Sequence, residues 1–78
     1  MNIIKEIRKD KDLSQTEFAT ICDVSVQTVF DLEHGQRATI NESILNTLDR
    51  LGYNPEEVAE SYDYQRQTNR EEMLQQLA

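Results

Sequence analysis

The sequence predicts an all-α protein, a compact bundle of about five short helices. Three observations lead there. Apolar residues recur at three- and four-residue spacing, cap-forming residues stand ahead of these runs, and no stretch alternates apolar with polar as a strand would. Seventy-eight residues make one small domain, near the lower limit for burying a core without metal or disulfides.

The first helix is expected over about Ile3–Lys11, with Asn2 as its cap and Ile3, Ile4 and Ile7 as its buried stripe. Ser14 and Glu17 are spaced as a capping box that opens Gln15–Cys22, where Phe18, Ala19 and Cys22 share an apolar face. Asp23 stands where the chain must turn sharply, and aspartate tolerates the left-handed conformation better than most residues. Val24 plugs the corner. Ser25 caps a helix running to His34, and Gly35 stops it.

Gln36–Ala38 reads as a loop, after which Thr39 and Glu42 suggest a second capping box. It would open a helix of about Ile40–Leu51 with the stripe Ile40, Ile44, Leu45, Leu48 and Leu51, ended by Gly52. Asn54, then Pro55 at the first helical position and Glu56 and Glu57 near the positive helix end, start a helix to about Ser61. That helix returns Val58 and Tyr62 to the core and completes a domain over residues 1–62. Residues 63–78 form a polar, acidic tail in which Asn69 can cap a short helix bearing Met73, Leu74 and Leu77. The tail either frays or orders on a partner or on a second copy of the chain.

Two short helices, a tight turn and a small residue (Ala19) at the crossing describe a helix-turn-helix, whose second helix can enter a DNA major groove. The pattern L-S-Q-x-E-x-A, V-S, T-V, L-E-x-G between Leu13 and Gly35 resembles the lambda-repressor-like, Cro/CI-type (XRE) helix-turn-helix family. The resemblance runs from about Ile4 to Tyr53. It implies a cytoplasmic, sequence-specific DNA-binding transcriptional regulator, a homodimeric repressor on a palindromic double-stranded operator; the length fits a phage or mobile-element type. Paired half-sites about one helical turn apart call for a dimer. Its expected surface is the Ile40–Leu51 helix with the following segment, where Tyr53, Val58, Tyr62 and the apolar residues of the tail can meet. Members of such families also serve as antitoxins or bind other proteins. The alternative is therefore an antitoxin or anti-repressor whose partner is a toxin or another regulator.

The resemblance also assigns roles. The start of the second motif helix touches base edges, which here means Ser25, Val26 and Gln27, with Phe30 and Asp31 one turn later. Gln27 is the best direct reader, because its amide can pair bidentately with adenine N6 and N7. Ser25 is equally explained as a cap. Val26 and Phe30 stand four apart and share a face, suited to thymine methyl groups or to a protein partner. Asp31 would be repelled by phosphate unless it accepts from a cytosine amino group. Gln15 is assigned to a backbone phosphate, where it would brace the reading helix. After Gly35 the chain offers Arg37, with Gln36, Thr39 and Asn41 as neutral donors; Thr39 has its capping role in competition. Arg8 and Glu33 correspond to a structural ion pair of the family, in preference to a phosphate contact by Arg8.

Charge is the awkward fact. Eight basic and fifteen acidic residues give −7, whereas nucleic-acid binders usually carry a basic surface. Lys5, Arg8, Lys9 and Lys11 crowd into the first helix, so a local basic edge on an acidic molecule is expected. The lone Cys22 reads as a small buried hydrophobe, and lone His34 as a residue satisfying carbonyls at the end of its helix. No metal site, cofactor or enzymatic activity is expected, because there is no cluster of ligands, no nucleophile–base constellation and no glycine-rich phosphate loop. No apolar run approaches a membrane span and no signal-peptide core is visible.

Overall fold

Helix starts are set by side chains that satisfy free amides. The computed structural model describes residues 2–78 and contains, among them, five helices: α1 (Ile3–Asp10), α2 (Gln15–Cys22), α3 (Val26–Glu33), α4 (Glu42–Arg50) and α5 (Pro55–Leu77). Asn2 Oδ1 accepts from the amides of Ile4 and Lys5. Ser14 and Glu17 close a full capping box, Ser14 Oγ accepting from the Glu17 amide at 3.0 Å and Glu17 Oε1 from the Ser14 amide at 2.9 Å. The Ser14 amide holds the Glu17 carboxyl below its ordinary range. Ser25 caps α3 by accepting from the Thr28 amide, and Asn54 caps α5 by accepting from the amides of Glu56 and Glu57.

Helix ends share one device. After each of α1 to α4 a residue with positive φ lets two successive amides turn back onto the last-turn carbonyls, a Schellman closure. Glycine fills that position at Gly35 and Gly52, but Asp12 and Asp23 fill it at the other two, each at φ 56°. At the motif corner the Val24 amide reaches Ala19 O at 3.0 Å and the Asp23 amide reaches Thr20 O at 3.2 Å. An L side chain pays a steric penalty there that glycine avoids. Asp23→Gly is therefore expected to raise stability by up to about 1 kcal/mol, read from the urea midpoint. A loss of stability on that substitution would mean that the Asp23 carboxylate itself supports the turn.

These elements enclose a single core. Ile4 and Ile7 of α1, Phe18, Ala19 and Cys22 of α2, and Val29 and Leu32 of α3 meet Ile44 and Leu48 of α4 and Val58 and Tyr62 of α5. Val24 packs against this cluster at the corner, as does Leu13 ahead of α2. Cys22 is buried, and desolvation pushes its thiol pKa up.

The structure corrects four expectations. The Thr39–Glu42 capping box does not form: α4 starts at Glu42 behind Asn41, whose side chain makes no cap bond. Ile40 reaches the core from the loop instead, so the chain seats this side chain before it begins to coil. Leu51 is the C-cap and is exposed, because the last turn of α4 has passed the core; Tyr53 packs there instead. Neither a helix end near Ser61 nor a helix start at Asn69 is present, and α5 runs unbroken for 23 residues. No glycine or proline interrupts residues 56–77, and adding a residue to an existing helix is easier than nucleating a second one. Finally, Val58 and Tyr62 are buried inside their own domain, 6% and 1% exposed, so neither can form a dimer face.

Candidate nucleic-acid interface

α3 divides sharply into two faces. Thr28, Val29 and Leu32 are buried, whereas Val26 and Phe30 are 46% and 39% exposed and Gln27 is exposed beside them. Two large apolar side chains thus stand in solvent on the side opposite the core. Phe30 is stacked on His34 with ring centroids 4.0 Å apart, and His34 Nδ1 lies 2.8 Å from the Phe30 carbonyl oxygen. The histidine therefore satisfies a terminal carbonyl of the helix and shields one side of the phenyl ring.

The N-terminal turn of α3 is held by its own side chains. Ser25 Oγ accepts from the Thr28 amide at 3.2 Å and shares a hydrogen bond with Thr28 Oγ1 at 2.9 Å. Gln27 Nε2 donates to Asp31 Oδ1 at 2.8 Å. Arg37 Nη2, returning from the loop, lies 3.4 Å from both Asp31 Oδ2 and Thr28 Oγ1. Arg37, read from the sequence as a phosphate ligand, thus has its head turned onto α3. Asp31 carries a paired charge, not a bare one.

At the other end of α3, Arg8 grips Glu33 in a bidentate pair, Nε to Oε2 at 2.7 Å and Nη2 to Oε1 at 3.0 Å. The side chains are only 12% and 2% exposed. The hydrogen bond to Glu33 raises the Arg8 pKa against the opposing effect of burial. Arg8 Nη1 also donates to the Leu13 carbonyl at 2.9 Å, and Gln15 Nε2 to Glu33 Oε1 at 3.2 Å. One carboxylate therefore ties the first residue of α2 to the last residue of α3. A carboxylate is unfavourable at the negative end of a helix unless a cation answers it, as Arg8 does.

The structure gathers Gln15, Arg8 and Glu33 into one cluster and Ser25, Gln27, Asp31 and Arg37 into another. It leaves Gln36 and Thr39 exposed along the loop, and Asn41 half-buried at the start of α4. Just after α1, Lys11 lies over the Tyr53 ring, 5.5 Å from its centre, and the Tyr53 hydroxyl donates to Asp10.

Sequence reasoning missed the clamp on the exit of α3. Asn2 Nδ2 donates to Leu32 O at 2.7 Å, the Tyr62 hydroxyl to Arg37 O at 2.7 Å, and Arg66 Nε to Gly35 O at 3.0 Å. Gln65 Oε1 accepts from the Ile3 amide at 2.8 Å, so α5 secures the start of α1 as well. Tyr62, Gln65 and Arg66 stand at helical spacing. That was the available signal, and it was hidden because the helix was expected to stop before them.

Among the described residues no group of three or more His, Cys, Asp or Glu side chains could hold a metal ion. Among the same residues no helix is long and apolar enough to cross a membrane. Neither characterised proteins nor solved structures gave a significant match. A helix-turn-helix family model matches residues 4–51, from the first turn of α1 through α4. With its second motif helix exposed on one face and braced at both ends, the chain belongs to the Cro/C1-type helix-turn-helix (XRE) family and is a DNA-binding regulator of that type.

Proposed function

We propose that the protein is a homodimeric repressor, of phage or mobile-element type, that reads a palindromic operator with α3 in the major groove. The observation that carries this reading is the outward face of α3, where Gln27 stands beside two exposed apolar side chains on a helix fixed from behind. Gln27 pairs with adenine, and Val26 and Phe30 meet thymine methyl groups. Gln15, Gln36, Thr39 and Asn41 contact the backbone, joined by Arg37 from its place beside Asp31. The Arg8–Glu33 pair is scaffolding. Leu51, Tyr64, Met73 and Leu74 are exposed apolar side chains still available to a second copy once Val58 and Tyr62 are excluded.

The test is binding to DNA from the protein's own promoter at two salt concentrations, wild type against Gln27→Ala. The wild type is expected to give a sequence-selective, salt-sensitive complex. Loss of one bidentate base contact should weaken it by about 1–3 kcal/mol, roughly fivefold to 150-fold. With few phosphate-binding cations, the dependence on salt should be shallow for a regulator.

A second reading has its own observation. Met73, Leu74 and Leu77 are 57%, 45% and 84% exposed on the last turns of α5 in a chain of net charge −7. Such a helix end suits capture of a protein partner, as in an antitoxin or anti-repressor. A tight complex with a neighbouring gene product, together with no specific DNA binding, would establish that reading in place of the first.

A further inference from the structure

Gln27 is exposed, but its amide is not free to turn over. Its Nε2 donates to Asp31 Oδ1, one turn further along α3. A carboxylate only accepts hydrogen bonds, so the nitrogen and not the oxygen of the amide must face it. Asp31 is itself held, its second oxygen 3.4 Å from Arg37 Nη2, and its side chain is only 20% exposed. The Arg37 backbone is anchored in turn by the Tyr62 hydroxyl. The chain of contacts runs from the core to the tip of the base reader.

The consequence is chemical. With one N–H given to Asp31, the Gln27 amide keeps one N–H and Oε1, a donor and an acceptor in a fixed order. In the major groove adenine offers the complementary pair on a single base, acceptor N7 beside donor N6, whereas guanine offers two acceptors. A glutamine free to turn over could present its donors to guanine as well.

We propose that Asp31 is a specificity-determining positioning residue: by fixing the donor side of the Gln27 amide it commits the protein to adenine over guanine at one operator position, without touching DNA. The inference rests on the DNA-reading role given to α3 above. It also explains an acidic side chain on that face. The Asp31 charge is answered by Arg37, and its partner on the reading side is Gln27, neither a phosphate nor a cytosine.

The test selects duplexes from a random pool with the wild-type protein. It then measures affinity for the selected duplex and for its single adenine-to-guanine changes. Wild type should discriminate at one position by about tenfold or more, and Gln27→Ala should abolish that ratio. Asp31→Asn keeps the shape but can donate or accept, so the amide can turn over. Its affinity for the adenine duplex should stay within about threefold of wild type while the adenine-to-guanine ratio falls to about threefold or less. A purely structural or purely repulsive role would change both affinities together and leave the ratio intact. An unchanged ratio in Asp31→Asn overturns the proposal.

Nitrogen relaxation of the Gln27 side chain in the DNA-free protein separates the two ways of failing. An amide equally ordered in wild type and Asp31→Ala means that the carboxylate never held it, and the proposal falls on its own. An amide loosened by Asp31→Ala, with no sequence selected by the wild type, means that the DNA-reading role of α3 has failed and the proposal with it.

Discussion

Replacing Arg8 with alanine is expected to lower the stability of the fold by about 3–5 kcal/mol. A small domain has only about 5–15 kcal/mol in all, so the variant should be largely unfolded at moderate urea. The size of the effect comes from what is left behind. The Glu33 side chain is 2% exposed, and without the guanidinium its carboxylate keeps, among the described residues, the Gln15 amide at 3.2 Å. The Leu13 carbonyl loses its donor as well. Replacing both partners at once, Arg8→Met with Glu33→Leu, should recover most of the loss, because no uncompensated charge then remains in the interior. Urea denaturation followed by circular dichroism measures both. A loss below about 1 kcal/mol for Arg8→Ala would show that the pair behaves as a surface ion pair and braces nothing.

Tyr62→Ala is expected to cost a similar amount, about 3–5 kcal/mol, because it empties a large side chain from the core. Tyr62→Phe isolates the hydroxyl. It leaves the ring in place and removes the donor from the Arg37 carbonyl, for about 1–3 kcal/mol. Burial also pushes the Tyr62 phenol above its ordinary pKa. The folded state therefore favours the protonated ring. That part of the stability is intact below the ordinary tyrosine value and is lost as pH climbs through the raised folded value. Tyr62→Phe should lack this component, although Tyr53, raised by its hydrogen bond to Asp10, retains its own. Denaturation curves at neutral and alkaline pH measure both effects. If Tyr62→Phe matches wild type in both, the hydroxyl is not what secures the loop after α3.

The candidate site was legible in unequal parts. That Val26 and Phe30 share a face followed from their four-residue spacing, whereas that this face points away from the core rested on the family resemblance. The Arg8–Glu33 pair came from the family resemblance, since 25 residues separate its partners and no local rule joins them. The Gln27–Asp31 bond is different. A glutamine four residues ahead of an aspartate on one helix is a recognised pair, so the sequence contained that signal. The role that the resemblance gives Asp31, a DNA contact, leaves that pair out of account.

What the sequence determined by itself is the local order of the chain. Caps at Asn2, Ser14, Ser25 and Asn54, left-handed closures at Asp23 and Gly35, and the apolar stripes of α1 and α2 depend on neighbours within a few residues, and those are printed in the chain. What only the tertiary structure decided is how the exit of α3 is held. Asn2 reaches Leu32, Tyr62 reaches Arg37 and Arg66 reaches Gly35 across 25 to 31 residues. Such contacts exist only after the core has brought α1 and α5 against the end of α3. α5 could bring its share only by continuing past Ser61, where no breaker stops it and the next turn finds the Ile3 amide and the Gly35 carbonyl.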